Sequence, residues 1–387
     1  MTRGCAFILV AFFAARSPAT ADEGIPGETL DALKAATVYI KVEGQLGNSS
    51  GSGFLVHVDG QTGLVATNRH VVGRKGKQAA PTTTIVFRSG TKKELEVPAE
   101  LVAVDPDEDL ALMRVKAKEL PAPIDLSPPD LRETMTVYSL GFPLGNVLAT
   151  DRANPSVTIG KGTISGLPED SHGRLDRVQL DGALNPGNSG GPVVDDRGRL
   201  VGVVVAGIVG TKISFAIPPT NLTAMLRGRA SSPVVKSVNV EKGTAEVELE
   251  VPVVDPLGKL DRVEVRHVKR DAVSTLPACD KAGVWDTLST GETAAVKTDS
   301  GKGVVKVRVR GPENGTGEFC FQTLFTREDG KALGAKPVDR TVDFSRPGVL
   351  HGDRRRWETI VSKAGGFTVD MPAKLVINES GKKRVGG

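Results

Sequence analysis

Asn185-Pro186-Gly187-Asn188-Ser189-Gly190-Gly191-Pro192 lies between two short apolar runs, Val178–Leu180 and Pro192–Val194. A serine hydroxyl is a poor nucleophile unless a base takes its proton and hydrogen-bond donors stabilise the charge that develops on the attacked oxygen. Glycines on either side let the backbone turn tightly and aim its N–H groups at one point. Gly187 and Ser189, with Asn188 between them, would supply that point. The same eight residues also read as a Gly-rich turn with an incidental serine. Their surroundings separate the two readings.

Downstream, a proline and a strand follow Ser189, and no helix does. Gly187–Gly191 therefore fits the G-x-S-x-G string of the α/β-hydrolases without their strand–serine–helix setting. His267 and His351 follow it in the chain, but both lie beyond an apparent linker. Upstream, from Thr37 to about Pro219, the chain is a succession of short strands broken by turn residues. Val38–Val42, Gly53–Val58, Leu64–Thr67, Thr84–Phe87, Leu95–Val97, Leu110–Val115, Thr136–Leu140, Gly162–Ser165, Leu200–Val205 and Ile213–Ile217 join the two runs around Ser189. Helical patterning is confined to Gly27–Ala36 and Asn221–Arg227, at the two ends of this region. Many short strands without intervening helices predict antiparallel barrels or sandwiches, an all-β architecture.

A base and an acid are needed to activate Ser189. Of the five histidines, His57 lies within a strand, and His172 sits in a Ser-His-Gly turn. His70, in Ala66-Thr-Asn-Arg-His-Val-Val72, sits where a strand ends and a small apolar turn begins, at the end of a rigid element. Taken alone, any of these is as readily a structural or solvated imidazole. Asp105-Pro-Asp-Glu-Asp109 offers the acid, with a solvated acidic loop as the other reading. Asp109 immediately precedes the apolar strand and is the carboxylate a core would enclose; Asp105 and Asp107 flank Pro106 and read as turn residues. The order His70, Asp109, Ser189 is that of chymotrypsin-type enzymes and differs from the subtilisin and α/β-hydrolase orders.

Six blocks then fall in register: Ser50–Phe54, Ala66–Val72, Asp109–Leu112, Gly141–Pro143, Asn185–Pro192 and Ile213–Pro218. In this order they resemble the Deg/HtrA-type serine proteases, over residues ~35–228. The resemblance implies a chymotrypsin-like double β-barrel and an exported endopeptidase that uses no ATP. His70 would be its general base, Asp109 the orienting carboxylate, Ser189 the nucleophile, and Gly187, Asn188 and Ser189 the oxyanion hole. It further implies polypeptide substrates, unfolded or partly folded; beside it, no His/Cys/Asp cluster has ligand spacing, so no metal or organic cofactor is expected. Homo-oligomers occur in the family, whose trimers often rest on N-terminal aromatics; between Asp22 and Tyr39 this chain has none. By the same analogy Ala183 and Leu184 line the base of the primary specificity pocket, with Val204, Val205 and Ala206 as a wall, and a small or medium aliphatic residue is expected before the cut. Asn188 stands where digestive relatives carry an aspartate that pairs with a newly cut N-terminus, so activation by clipping is not expected. Residues 230–387 show no carboxylate-binding loop of the PDZ type that family members commonly carry.

The remaining sequence sets the context. The chain has 387 residues, enough for two or three domains, and is 39% hydrophobic and 25% charged, which excludes global disorder. Net charge is +4 with 4% aromatics and no long Lys/Arg run, which argues against a nucleic-acid partner. Arg3, the apolar Cys5–Ala15 and the small-x-small Ala19-Thr20-Ala21 read as a signal peptide over 1–21, hence an extracytoplasmic (periplasmic or secreted) chain. Those eleven apolar residues are too few for a membrane span, and no other stretch approaches that length. After a protease domain at 22–228, residues 229–236 read as a linker. Ala245–Val251 and Gly303–Arg310 alternate strictly between apolar and charged, so 237–345 reads as a β-sandwich of immunoglobulin or fibronectin type. Residues 346–387 read as a tail, with Gly366–Pro372 part of one hairpin of a truncated β module. Cys279 and Cys320 in an exported chain predict one disulfide, two separate buried thiols being the other reading.

Overall fold

A computed structural model describes residues 24–44, 47–73, 81–149, 154–182, 187–207, 213–273, 275–280, 285–299, 301–345, 348–351, 357–362 and 367–372. The segment read as a signal peptide lies outside the described residues. Helix α1 (Gly27–Ala36) carries Glu28 in its first turn and Lys34 in its last, as the helix dipole favours, and buries Leu33 and Ala36. It runs directly into the first strand, where the Thr37 hydroxyl donates to Leu33 O at 2.8 Å.

Six strands close the first barrel: β1 (Thr37–Gly44), β2 (Gly47–Asp59), β3 (Thr62–Thr67), β4 (Thr82–Phe87), β5 (Leu95–Val104) and β6 (Ala111–Lys116), in the order β1-β2-β3-β6-β5-β4. Between β3 and β4 lies the single-turn helix α2 (Arg69–Val72). Six more close the second: β7 (Thr136–Gly141), β8 (Thr158–Gly166), β9 (Val178–Asp181), β10 (Pro192–Val194), β11 (Leu200–Gly207) and β12 (Ile213–Ile217), in the order β10-β11-β12-β9-β8-β7. The fold is the chymotrypsin-like double barrel that the strand pattern and the six motif blocks predicted. Closure removes exposed sheet edges, and the barrel interiors fill with side chains such as Ile40, Phe54, Leu112 and Val193, all fully buried. Helix α3 (Pro219–Leu226) then packs Leu222 and Met225 into the larger core.

Beyond α3 the chain builds two further sheets. One contains β13 (Arg229–Ala230), β14 (Val234–Glu241), β15 (Thr244–Val254), β18 (Lys297–Asp299), β19 (Lys302–Arg310) and β23 (Gly348–His351). The other contains β16 (Leu260–Lys269), β17 (Glu292–Ala295), β20 (Thr316–Arg327), β21 (Ala332–Gly334) and β22 (Val338–Asp343). Alternate residues of β15, β19 and β16 meet Phe319, Phe321 and Phe325 in one core, which makes the pair a sandwich. β24 (Trp357–Ser362) and β25 (Phe367–Pro372) pair as a separate hairpin.

Three expectations need correction here. The stretch read as a linker is mostly strand: Arg229 and Ala230 pair with Val254 and Val253 of β15, and β14 begins at Val234. At the other end, β23 extends the sandwich to His351 by pairing with β14. The two cysteines are free thiols, not a disulfide. Cys320 is fully buried beside Val273 and Leu288, and burial, reinforced by Asp339, pushes its thiol up to about 12. Cys279 instead donates to Asp280 O at 3.5 Å.

Candidate active site

The crevice between the barrels is assembled from chain ends that each barrel holds rigidly. β3 delivers Asn68 and α2, hence His70, and Asp109 lies just before β6, which pairs with β3 from Thr67↔Ala111 onward. Register alone therefore sets the two side chains opposite each other. His70 Nδ1 lies 2.5 Å from Asp109 Oδ2, and the His70 backbone N–H donates to Asp109 Oδ1 at 3.0 Å. Asn68 Nδ2 donates to Asp109 O at 2.8 Å, and the Arg69 N–H points to the same oxygen at 3.3 Å. Asp109 is thus bonded through carboxylate and carbonyl alike, with its side chain 7% exposed and that of His70 17%. With Nδ1 engaged, the imidazole offers Nε2 for proton transfer.

Ser189 comes from the second barrel, on the turn before β10. Its carbonyl accepts the Ser52 N–H at 3.0 Å, which ties the turn to β2 of the first barrel. Gly190 has φ +84°, and a Cβ there would strike Ser52 O and the Thr67 hydroxyl and come within 3.0 Å of Asn68 N. That close approach brings Ser189 to the end of β3, beside the His70 turn. Gly187, at φ +101°, lies against Phe142 O and Leu144 N. Its carbonyl accepts the Ser52 hydroxyl at 2.6 Å, while Ser52 Oγ accepts the Phe142 N–H at 2.9 Å. Ser52 is fully buried and bonds to three points of the second barrel; the motif reading placed it in a block but gave it no role. Asn188 packs its side-chain oxygen against Gly141.

The structure brings His70 and Asp109 into contact. The Ser189 hydroxyl, by contrast, is turned to Val205 O, 3.4 Å away, and among the described residues that is its hydrogen bond. Of the expected pocket, Ala183 and Leu184 lie outside the described residues. Val204 is 2% exposed, with its side chain in the core of the second barrel; its main chain receives Gly190 N at 2.8 Å and donates to Gly191 O at 2.9 Å. The Val205 side chain is also buried, so its carbonyl is what it presents to Ser189. Ala206 pairs with Phe215 in the β11–β12 ladder. Among the described residues no three His, Cys, Asp or Glu side chains gather as metal ligands.

Comparison with known proteins agrees with the fold. Residues 51–203 match the family described as a trypsin-like peptidase domain. Among curated proteins, a probable periplasmic serine endoprotease DegP-like of Ectopseudomonas mendocina is 36% identical over 178 residues, 44% of this chain and 33% of the relative. The protein of the same description in Chlamydia pneumoniae is 31% identical over 242 residues, covering 60% of this chain and 44% of the relative. The mitochondrial serine protease HTRA2 of Bos taurus is 32% identical over 210 residues, 51% and 42% of the two chains. The solved structure of Deg5 aligns at TM-score 0.41 and 27% identity, over 51% of this chain and 89% of its own. Residues 51–203 thus match a trypsin-like peptidase domain, and this part of the chain is similar to serine proteases of the Deg/HtrA type. The chain spans less than half the length of each of these curated relatives.

Proposed function

We propose that the chain is an exported, ATP-independent serine endopeptidase acting on unfolded or partly folded polypeptides. The observation that carries the reading is the 2.5 Å contact between His70 Nδ1 and a buried Asp109 carboxylate, beside a serine in a Gly-flanked turn. Ser189 Oγ attacks the scissile carbonyl carbon while His70 Nε2 takes its proton, and Asp109 fixes the tautomer and stabilises the imidazolium. The N–H groups of Gly187 and Ser189 receive the oxyanion. Collapse of the tetrahedral intermediate breaks the C–N bond, and His70 returns the proton to the leaving amine. Water then attacks the acyl-enzyme with His70 again as base, freeing the acid and Ser189. The word "periplasmic" in the relatives' names and the Cys5–Ala15 apolar segment support export. By analogy with the family, an alanine at position 183 rather than an acid favours cleavage after Val, Ala, Leu or Ile; strong cleavage after Arg or Lys would contradict that assignment.

A second reading has its own support. The Ser189 hydroxyl faces Val205 O, so a resting state in which a ligand must first turn it to His70, or a scaffold that binds without cutting, fits that geometry. An unfolded-casein assay separates the readings. Wild type should cleave and Ser189→Ala should not, with binding unchanged; equal behaviour of the two proteins leaves the scaffold reading.

A further inference from the structure

We propose that Arg229 is a positioning residue: from the first strand of the sandwich it holds the Asp105–Leu110 loop, and through that loop keeps Asp109 on the His70 imidazole. The proposal rests on the reading of His70 and Asp109 as a working pair.

The loop is organised around Asp105. Its backbone N–H donates to Leu110 O at 2.9 Å, closing the loop, and its Oδ1 accepts the N–H groups of Asp107 and Glu108 at 2.8 and 3.0 Å. The side chain is fully buried, so the sequence reading of Asp105 as an ordinary turn residue is incomplete. A buried carboxylate is tolerated only with a counter-charge or hydrogen bonds. Arg229 supplies the charge, donating from Nη2 to Asp105 Oδ1 and lying 3.2 Å from Asp107 Oδ2. Ser231 adds a hydroxyl bond to Asp107 Oδ2 at 2.9 Å. Burial pushes the Asp105 carboxyl above its ordinary value and Arg229 pulls against it, so losing Arg229 would favour protonation of the hub. Burial would lower the Arg229 guanidinium, but Asp105, Asp107 and Glu108 outweigh it, and the net shift is upward.

Arg229 is equally fixed on its own side. It pairs with Val254 in β15, Ser231 N donates to Pro252 O at 2.9 Å, and Arg327 Nε donates to Gly228 O at 2.8 Å. The loop thus takes its position partly from the sandwich. Its last acid, Asp109, has its own bonds to Asn68 and His70, so a shift of the loop is felt there first.

Arg229→Met removes the charge and keeps the apolar stem, and Arg229→Lys keeps a positive charge on a shorter stem without the planar guanidinium. Peptide hydrolysis should lose roughly tenfold or more in kcat at unchanged KM in Arg229→Met, and less in Arg229→Lys. Asp105→Asn/Arg229→Met, with no buried charge left bare, should recover to within about threefold of wild type. The downfield NMR signal of the His70 Nδ1 proton should broaden or shift in Arg229→Met and return in the double variant. If Arg229→Met does not fold, Arg229→Lys carries the test by the same two readouts. Wild-type kcat and signal in the folded Arg229 variants, or a double variant no better than the single, overturn the proposal. If wild type cleaves nothing, the protease reading fails while the proton signal still tests Arg229.

Discussion

The contacts around Ser52 and those around Arg229 use different chemistry. At the catalytic turn the barrels meet through neutral groups: the Ser52 hydroxyl and N–H bonded to Gly187, Phe142 and Ser189, and glycines that let main chains touch. Between the first barrel and the sandwich, contact is made by charge, Arg229 with Asp105 and Asp107; next to it Arg177 Nη1 of the second barrel lies 3.0 Å from Glu108 Oε2 of the first, so the charged cluster reaches across the barrels as well. The second barrel also meets the sandwich where His172 and Trp285 pack edge-on at 5.0 Å. Neutral hydrogen bonds keep their strength across the pH range, whereas a buried ionic junction is strong or weak according to protonation. The catalytic groups thus lie between the neutral Ser52 contacts and a pH-sensitive cluster around Asp105 and Glu108.

The largest expected effect lies in the reaction itself. Asp109→Asn keeps the shape of the His70 partner but not its charge, and should lower kcat by about 10⁴-fold with folding intact. Steady-state kinetics beside circular dichroism would check it. Next comes the neutral junction. Gly190→Ala forces a Cβ into Ser52 and Thr67 at a positive φ, and should destabilise the protease domain by about 3 kcal/mol in urea unfolding.

The charged junction should show itself in pH dependence. Burial raises Glu108 to about 7, with Arg177 pulling it down, Asp105 pushing it up, and Arg229 and Asp176 acting beyond them. The Arg177 contact is close but not aligned as a hydrogen bond, since Glu108 Oε2 has none. The folded state therefore holds this proton more tightly than the unfolded chain, whose carboxyl titrates near its ordinary value of 4.5. Stability from this group is highest below that value and falls as pH rises to about 7, by about 3 kcal/mol. Glu108→Gln should flatten that fall, measured as unfolding free energy against pH; an unchanged slope would place the pH dependence elsewhere. The smallest effect is expected for Cys279→Ser, within about 0.5 kcal/mol and equal with and without reductant, because Cys279 is a free thiol.

How much of this was legible depended on how local the cause was. Helix Gly27–Ala36 and strands Pro192–Val194 and Ile213–Ile217 are where the pattern puts them, and the alternation along β15 and β19 is their burial pattern. The His70–Asp109 pairing was legible because β3 and β6 place both residues at strand ends. The first residues of β2, Gly47-Asn-Ser-Ser-Gly51, have a loop's composition, yet they pair with Val42 and its neighbours because barrel closure overrides propensity. Arg229 read as linker because its partners, Asp105 and Asp107, are over 120 residues away in the chain. The Ser189 hydroxyl is a matter of one rotamer, which no residue pattern encodes.

One labelling reaction tests the reactivity of Ser189 most directly. Wild-type protein treated with a fluorophosphonate and mapped by peptide mass spectrometry should carry a stoichiometric adduct on Ser189, and His70→Ala should label far more slowly. An intact Ser189 after prolonged exposure, in protein supplied with an unfolded polypeptide to turn the hydroxyl toward His70, would contradict it.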